Sequence, residues 1–373
     1  MTVYLDHNAA AALLAGAKAA MTAAMETLGN PSSVHGPGRA ARRIIEDSRA
    51  AIAATTGARP ADVVFTGSGT EACQLMLRLP GRPRRIVAAS EHAAVLAAAP
   101  GADFAPVGGD GVLDLATLAR LLGADAHDTV VAVMLANNET GTLQPIAEAA
   151  EIAHRAGALF VVDAAQAYGK LPIDLTALGA DALAVSSAKI GGPLGVGAAI
   201  FACGVLPDPV LTGGGQERGL RGGSENVVGI AGFGAAAGEV DALLVCQPAL
   251  RRLRDRLETA IAQIAPTATI VGKGVARLAN TSAIAMPGIE AATQVMAFDL
   301  AGYAVSAGAA CSSGKVARSH VLAAMGLADA VAAATIRVSL GLETTEAEID
   351  GFVHAWSALY SKRRTPTTET ASV

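Results

Sequence analysis

Short apolar runs alternate with longer stretches of helical apolar spacing from about residue 16 to 245. Asp62–Thr66, Arg85–Ala89, Val130–Leu135, Leu159–Asp163, Ala182–Ser186 and Gly197–Phe201 read as strands, and segments such as Ile146–Ala156 read as helices between them. That alternation predicts a mostly parallel sheet covered by helices, with ligands gathering outside the carboxyl ends of the strands. The polar clusters Thr66–Glu71, Asn137–Thr140, Asp163–Gln166 and Ser186–Lys189 each follow a predicted strand directly, so the pattern sends them to one crevice. Further on, a helix over Leu250–Ile264 is followed by short strands and helices through Trp356, which suits a smaller α+β domain. The expected division is a large domain over 16–246, and a small one built from 1–15 and 247–373, whose polar tail frays beyond Lys362. The glycine-dense segment Gly213–Gly223 interrupts the pattern. It reads either as a flexible linker or as an ordered functional loop; two arginines and a glutamate in so short a stretch favour the loop.

The chemistry begins at Lys189, which ends an apolar run and opens a glycine-rich turn. A lysine partly desolvated by a buried strand loses its proton more easily and becomes nucleophilic. Asp163 closes a second apolar run in the same way. An amine and a carboxylate at neighbouring strand ends suit pyridoxal phosphate: the amine forms a Schiff base, and the carboxylate keeps the pyridine nitrogen protonated. The run Thr66-Gly-Ser-Gly-Thr-Glu-Ala follows a strand and opens a helix, whose unpaired N–H groups and dipole favour a phosphate. His92, just past another strand, either stacks on a planar ring and shuttles protons or is an ordinary surface residue. Asn138 and Gln166 are neutral donors for a ring hydroxyl, or helix caps.

Composition narrows the classes. The chain has 373 residues, enough for two domains; 52% are hydrophobic but only 3% aromatic, which favours alanine-rich helices on a sheet over an aromatic-cored sandwich. A net charge of −5 without a basic stripe argues against nucleic acid. No run of about 18 uncharged apolar residues and no signal-peptide pattern appear, so a soluble, cytoplasmic protein is expected. The cysteines Cys73, Cys203, Cys246 and Cys311 lie far apart, in no metal-ligand or disulfide spacing, so no metal is expected. Cys73, Cys203 and Cys246 are expected to be buried small apolar residues, whereas Cys311 lies in a small-residue loop that would expose a reactive thiol.

Taken in order, several motifs resemble those of the pyridoxal-phosphate cysteine desulfurases of the iron–sulfur and nitrogenase assembly type, within the class V aminotransferase superfamily. They are Tyr4-Leu-Asp-His-Asn-Ala-Ala, Asn30-Pro-Ser-Ser-Val-His, Thr66–Glu71, Glu91-His92, Asn137-Asn-Glu-Thr-Gly and Val162-Asp-Ala-Ala-Gln. Lys189-Ile-Gly-Gly-Pro, Gly219-Leu-Arg-Gly-Gly-Ser-Glu-Asn, Ala309-Ala-Cys-Ser-Ser-Gly and Ile336-Arg-Val-Ser-Leu-Gly complete the set. The resemblance implies the fold of pyridoxal-phosphate-dependent transferases (aspartate aminotransferase-like) and conversion of L-cysteine to alanine, with the sulfur handed on to an acceptor protein. It further implies that Lys189 holds the cofactor, Asp163 pairs with its ring nitrogen, His92 stacks on the ring, and Asn138 and Gln166 address the hydroxyl. Gly69, Thr70 and Ser186 would bind the phosphate, joined by Ser224 from the partner subunit of a homodimer. Arg337 would grip the substrate carboxylate beside Asn138, and Cys311 would take the sulfur as a persulfide.

Four positions depart from the family pattern: Ala188 stands where a phosphate-binding histidine is usual, Ser224 replaces threonine, Leu194 replaces lysine, and Gly67-Ser68 inverts Ser-Gly. Losing one buried donor at Ala188 is expected to weaken cofactor binding by about 1–3 kcal/mol. Lys315 and Arg318 add positive charge after Cys311, which is expected to favour its thiolate. The same fold also serves selenocysteine lyases and aminotransferases, and a sulfur-carrier scaffold with little chemistry is a third reading.

Overall fold

The computed structural model describes residues 2–307 and 318–363. Cys311 and Lys315 lie outside the described residues, as does the tail beyond 363. Seven strands form the main sheet, in the order Val63–Thr66, Gly197–Phe201, Ala182–Ser186, Leu159–Asp163, Thr129–Ala132, Arg84–Ala88, Asp103–Ala105. Only Gly197–Phe201 runs antiparallel to its neighbours; the remaining pairs are parallel. Parallel strands covered on both faces need apolar residues at successive positions rather than alternate ones. The inner strands accordingly read Thr-Val-Val-Ala, Leu-Phe-Val-Val-Asp and Ala-Leu-Ala-Val-Ser, buried almost throughout. One apolar layer, with Phe160, Tyr168 and Phe233, covers one face, and a second, with Val64, Leu75 and Met76, covers the other.

A separate core around Leu257, Phe298, Phe352 and Trp356 supports a three-stranded antiparallel sheet ordered Thr335–Ser339, Thr281–Ala285, Thr269–Val271. The N-terminal segment crosses to it: Val3–Tyr4 pairs with Tyr303–Ala304, and Asp6 bridges Ser339. The chain start is thereby held beside Arg337, which lies on Thr335–Ser339, an edge strand of this smaller sheet.

Several elements differ from expectation for identifiable reasons. The strand Thr129–Ala132 stops short of Leu135 because the next free amide on that edge, Met134 N, donates to the Glu91 carboxylate instead of continuing a ladder. The helix expected from Leu250 already starts at Val240 and carries Pro248 within it, so residue 246 falls inside the helix Val240–Ile264. The edge strand Asp103–Ala105 was not expected; it has three residues, and its Phe104 is 57% exposed, too short and too open to show a burial pattern. Burial of all three remote cysteines does not hold: Cys73 is buried, but Cys203 and Cys246 are exposed. Cys203 sits in the turn leaving the strand Gly197–Phe201, and Cys246 lies beside Val245 on the water-facing side of its helix. Among the described residues no single helix is long and apolar enough to cross a membrane, and no cluster of three metal-ligating side chains occurs.

Candidate active site

The carboxyl ends of five parallel-running strands open onto one cavity of about 730 Å³. Gly69, Thr70 and Ser186 line it, and so do Asp163, Gln166 and Lys189. His92, Asn138 and Arg337 also line it, so nine expected site residues from distant parts of the chain converge there. Ser224 does not line this cavity and is exposed.

The helix Gly69–Met76 begins directly at the end of the strand Val63–Thr66. Ser68 caps it, its hydroxyl accepting from Glu71 N at 3.1 Å, while Ala72 N is taken by the Ser68 carbonyl. The first N–H groups of a helix have no partner within it, which leaves those of Gly69 and Thr70 to face the cavity end. A Cβ on Gly69 would come within 3.0 Å of the Ser186 Cβ. Glycine thus lets the helix start approach the neighbouring strand closely enough to make a small, positively polarised cradle for a phosphate.

Lys189 closes a short helical turn after the strand Ala182–Ser186. Its turn continues through Gly191 at φ +81°, where a Cβ would meet the Leu14 side chain at 2.6 Å. The N-terminal segment therefore packs on the turn, and its carbonyls hold the amine: Lys189 Nζ donates to Asn8 O at 2.9 Å and Ala9 O at 2.6 Å. Burial, reinforced by the Arg337 charge, lowers the Lys189 pKa to about 8, with Asp163 and Asp6 pulling the other way. A substantial fraction of neutral amine is present at mildly alkaline pH.

Asp163 is nearly buried at 6% exposure, and its Oδ1 accepts from Ala165 N at 2.9 Å. Burial raises its pKa; the Ala165 amide, His92, the Cys73 thiol and Lys189 oppose the rise. A cationic ring nitrogen against this carboxylate would restore its charge. Burial pushes the Cys73 thiol well up, and the Asp163 charge adds to it, so Cys73 is a donor rather than a nucleophile. His92 caps the helix Ala93–Ala98 through Nδ1, which accepts from Ala94 N at 3.1 Å. In the neutral ring Nε2 then carries the proton.

Arg337 is 5% exposed and held by two partners: Nη1 donates to Asn138 O at 2.9 Å and Nη2 to Asp6 Oδ1 at 2.6 Å. Its Nε and the Oδ1 of Asn138 are buried without any hydrogen-bond partner. Unpaired buried polar atoms on a cavity wall are costly unless a ligand satisfies them. With the amine, the carboxylate and the helix start, they fit a ligand that carries a phosphate, a protonated ring and a carboxylate-bearing adduct.

Sequence reasoning placed the strand-end residues but gave no role to Asp6, Asn8 or Lys170. Asn8 is 1% exposed and lies at the centre of the site: its Nδ2 donates to Thr281 Oγ1 at 2.9 Å, and its carbonyl also accepts Gln166 Nε2 at 2.8 Å. Asp6 and Asn8 belong to the motif beginning at Tyr4, but only the fold puts them against residues far along the chain. Ala188, buried at 7% exposure, gives its carbonyl to Ala11 N and has no side-chain donor to offer a phosphate. Of the two cations after Cys311, Arg318 is paired with Asp329 at 3.2 Å, so its charge is already partly matched.

Residues 3–352 match the class-V aminotransferase family. A cysteine desulfurase of Cereibacter sphaeroides is 44% identical over 363 residues, 93% of each chain. An IscS-like cysteine desulfurase of Mycobacterium tuberculosis is 38% identical over 97% of each chain. The X-ray structure of a NifS-like protein from Rickettsia africae superimposes with a TM-score of 0.90 at 35% identity, covering 97% of this chain and all of that one.

Proposed function

Because the chain belongs to the class-V aminotransferase family, we propose that it is a pyridoxal-phosphate-dependent cysteine desulfurase that converts L-cysteine to L-alanine and passes the sulfur on as a persulfide. The observation that carries this reading is the meeting of Lys189, Asp163, the Gly69–Thr70 helix start and Arg337 in one cavity. The cofactor supplies an electron-withdrawing ring that weakens bonds at the substrate's carbon atoms. The chain's residues do the rest.

Lys189 is the covalent anchor and, once released, the base for the substrate's α-proton, a role for which a pKa near neutrality suits it. Asp163 would hold the ring nitrogen protonated. His92 would stack on the ring, with its Nε2 available to move a proton. Gly69, Thr70 and Ser186 would hold the phosphate, completed by Ser224 of a second subunit in a homodimer. Arg337, steadied by Asp6, offers its unpaired Nε and remaining N–H groups to the substrate carboxylate, with Asn138 beside it. The Cys311 thiolate attacks the substrate sulfur; the carbon–sulfur bond breaks with its electron pair left on carbon, and a proton completes alanine. The persulfide then serves an acceptor protein in iron–sulfur cluster assembly or another sulfur-transfer route. Residues 16–246 form the large cofactor-binding domain, and 1–15 with 247–373 the small one.

Incubation of the purified protein with pyridoxal phosphate and L-cysteine is expected to give equimolar alanine and, with a thiol reductant, sulfide. Lys189→Ala is expected to lose the visible absorbance of the bound cofactor. Cys311→Ala is expected to keep that absorbance while sulfide release falls by at least about two orders of magnitude, the scale of losing a nucleophile. Undiminished turnover in Cys311→Ala removes the persulfide step from the reading.

A further inference from the structure

Lys170 is a half-buried cation beside the cavity for which the reaction above has no use. No carboxylate pairs with it among the described residues. Instead its ammonium donates to two amide oxygens, Asn8 Oδ1 at 2.9 Å and Gln166 Oε1 at 2.9 Å. An ammonium group only donates, so both amides must turn oxygen towards it. The consequence falls on Gln166, a cavity-wall residue. With Oε1 committed to Lys170, its nitrogen is the end left for the cavity, and one of that nitrogen's hydrogens is already given to Asn8 O at 2.8 Å. The same carbonyl accepts Lys189 Nζ at 2.9 Å. One backbone oxygen therefore ties the reactive amine to an amide whose orientation Lys170 dictates.

We propose that Lys170 is a positioning residue whose charged form locks the Asn8 and Gln166 amides, so that Gln166 presents an N–H donor to a ring oxygen in the cavity and a second positive charge on Lys189 is disfavoured. The proposal rests on the cofactor reading above and extends it to a residue that touches neither cofactor nor substrate.

The surrounding charges support the second half. Lys189 and Arg337 face Lys170, His7 feels its charge, and Glu343 borders the adjoining cavity of about 160 Å³ that both lysines line. Asp163 and Asp6 act on Lys189 with the opposite sign. Burial brings Lys170 down to about 7, with Lys189 and Arg337 pushing the same way. Such a coupling is reciprocal, so the repulsion by which Lys189 lowers Lys170 acts back on Lys189 whenever Lys170 carries its proton. An anionic ring oxygen facing Gln166 favours the charged Lys170 and so engages the lock when the site is filled.

The test is a pH titration of the visible absorbance of the holoenzyme, comparing wild type with Lys170→Met and Lys170→Arg. Loss of both the donor and the like charge strengthens proton binding at the Lys189 nitrogen. Lys170→Met is therefore expected to raise the midpoint by about one unit, a tenfold change in proton affinity. Lys170→Arg, which keeps the charge, is expected to stay near wild type. In a Gln166→Ala background, Lys170→Met is expected to shift the midpoint by less than half as much. A midpoint unchanged in Lys170→Met, or shifted equally in Lys170→Arg, overturns the proposal.

Should Lys170→Met fail to take up cofactor, the apoprotein gives the answer through the pH dependence of trinitrobenzenesulfonate labelling at Lys189, scored against Lys189→Ala. The labelling midpoint is expected to rise in Lys170→Met, by less than in the holoenzyme because Lys170 is already losing its proton where Lys189 titrates, and an equal midpoint is again fatal. Labelling also separates the two readings. A wild-type protein that develops no absorbance with pyridoxal phosphate defeats the cofactor assignment, whereas the labelling comparison still judges the action of Lys170 on Lys189.

Discussion

Glu91 sits directly before His92 with its side chain wholly buried; Oε1 accepts from Met134 N, and Oε2 has no partner. Burial raises its pKa well above the ordinary value of 4.5, and the nearby Asp163 charge raises it further. The folded protein therefore favours the neutral acid of Glu91, while the unfolded chain releases that proton above about pH 4.5. Between those two values the unfolded state binds fewer protons, so this residue's contribution to stability falls as pH rises. The slope is about 1.4 kcal/mol per pH unit for one proton. Glu91→Gln, neutral at every pH, is expected to unfold at higher urea than wild type at pH 8, with the advantage shrinking towards pH 5 in the apoproteins. Parallel stability profiles would show Glu91 to be ionised in the fold. The residue also marks where sequence reading stops. His92 was legible as a polar residue after a strand, but a buried acid one position earlier looks like any surface glutamate until the fold closes over it. Asp6, Asn8 and Lys170 were hidden for a related reason: their partners lie 331, 272 and 162 positions away in the chain.

At the scale of elements, strand ends were readable because a parallel sheet buried on both faces demands continuous apolar runs, and polar residues appear only where the run stops. The glycine-dense segment was readable as ordered but not as to its task. Glu217 in its middle adopts φ +45° and Arg218 φ +58°, left-handed conformations that cost non-glycine residues about 1 kcal/mol or more each. A buried fork compensates: Glu217 accepts both nitrogens of Arg49 at 2.7 and 2.8 Å, with both side chains 1% exposed, and also Phe65 N at 2.8 Å. Arg221 from the same loop holds Glu71 in the first turn of the phosphate-side helix. The loop thus seals the free edge of the strand Val63–Thr66 and steadies the helix start that follows it. Breaking one side of such a pair leaves an uncompensated buried charge, so Glu217→Ala is expected to cost about 3–5 kcal/mol in denaturant unfolding. Replacing both partners, as Arg49→Met with Glu217→Leu, is expected to recover at least half of that loss. A Glu217→Ala cost under about 1 kcal/mol would mean that water, not Glu217, satisfies Arg49.

At the scale of the whole molecule, one subunit leaves conspicuous apolar surface in water: Leu28, Val34 and Leu194 are 80%, 88% and 75% exposed. Large exposed apolar side chains mark surfaces that another molecule covers. Leu194 lies in the turn that follows Lys189, and Ser224, the expected phosphate ligand, is exposed and away from its own cavity. In the homodimer proposed above, a second copy that covered these side chains while delivering Ser224 to its neighbour's phosphate cradle would account for both observations. Only the family resemblance points to such an arrangement, since no pattern within a single chain distinguishes a serine awaiting a partner from one facing solvent. Ser224→Ala is expected to weaken pyridoxal phosphate binding about tenfold, the loss of one hydrogen bond to a charged group. Co-expression with Lys189→Ala makes the geometry explicit. In a mixed pair, the Ser224→Ala subunit keeps its own Lys189 and receives an intact Ser224 from its neighbour, while the Lys189→Ala subunit has no amine to react. Wild-type cofactor affinity is therefore expected to return at one site per mixed pair, measured by absorbance after isolating that pair with distinct tags. If the serine acted within its own chain, the mixed pair would bind as weakly as Ser224→Ala alone.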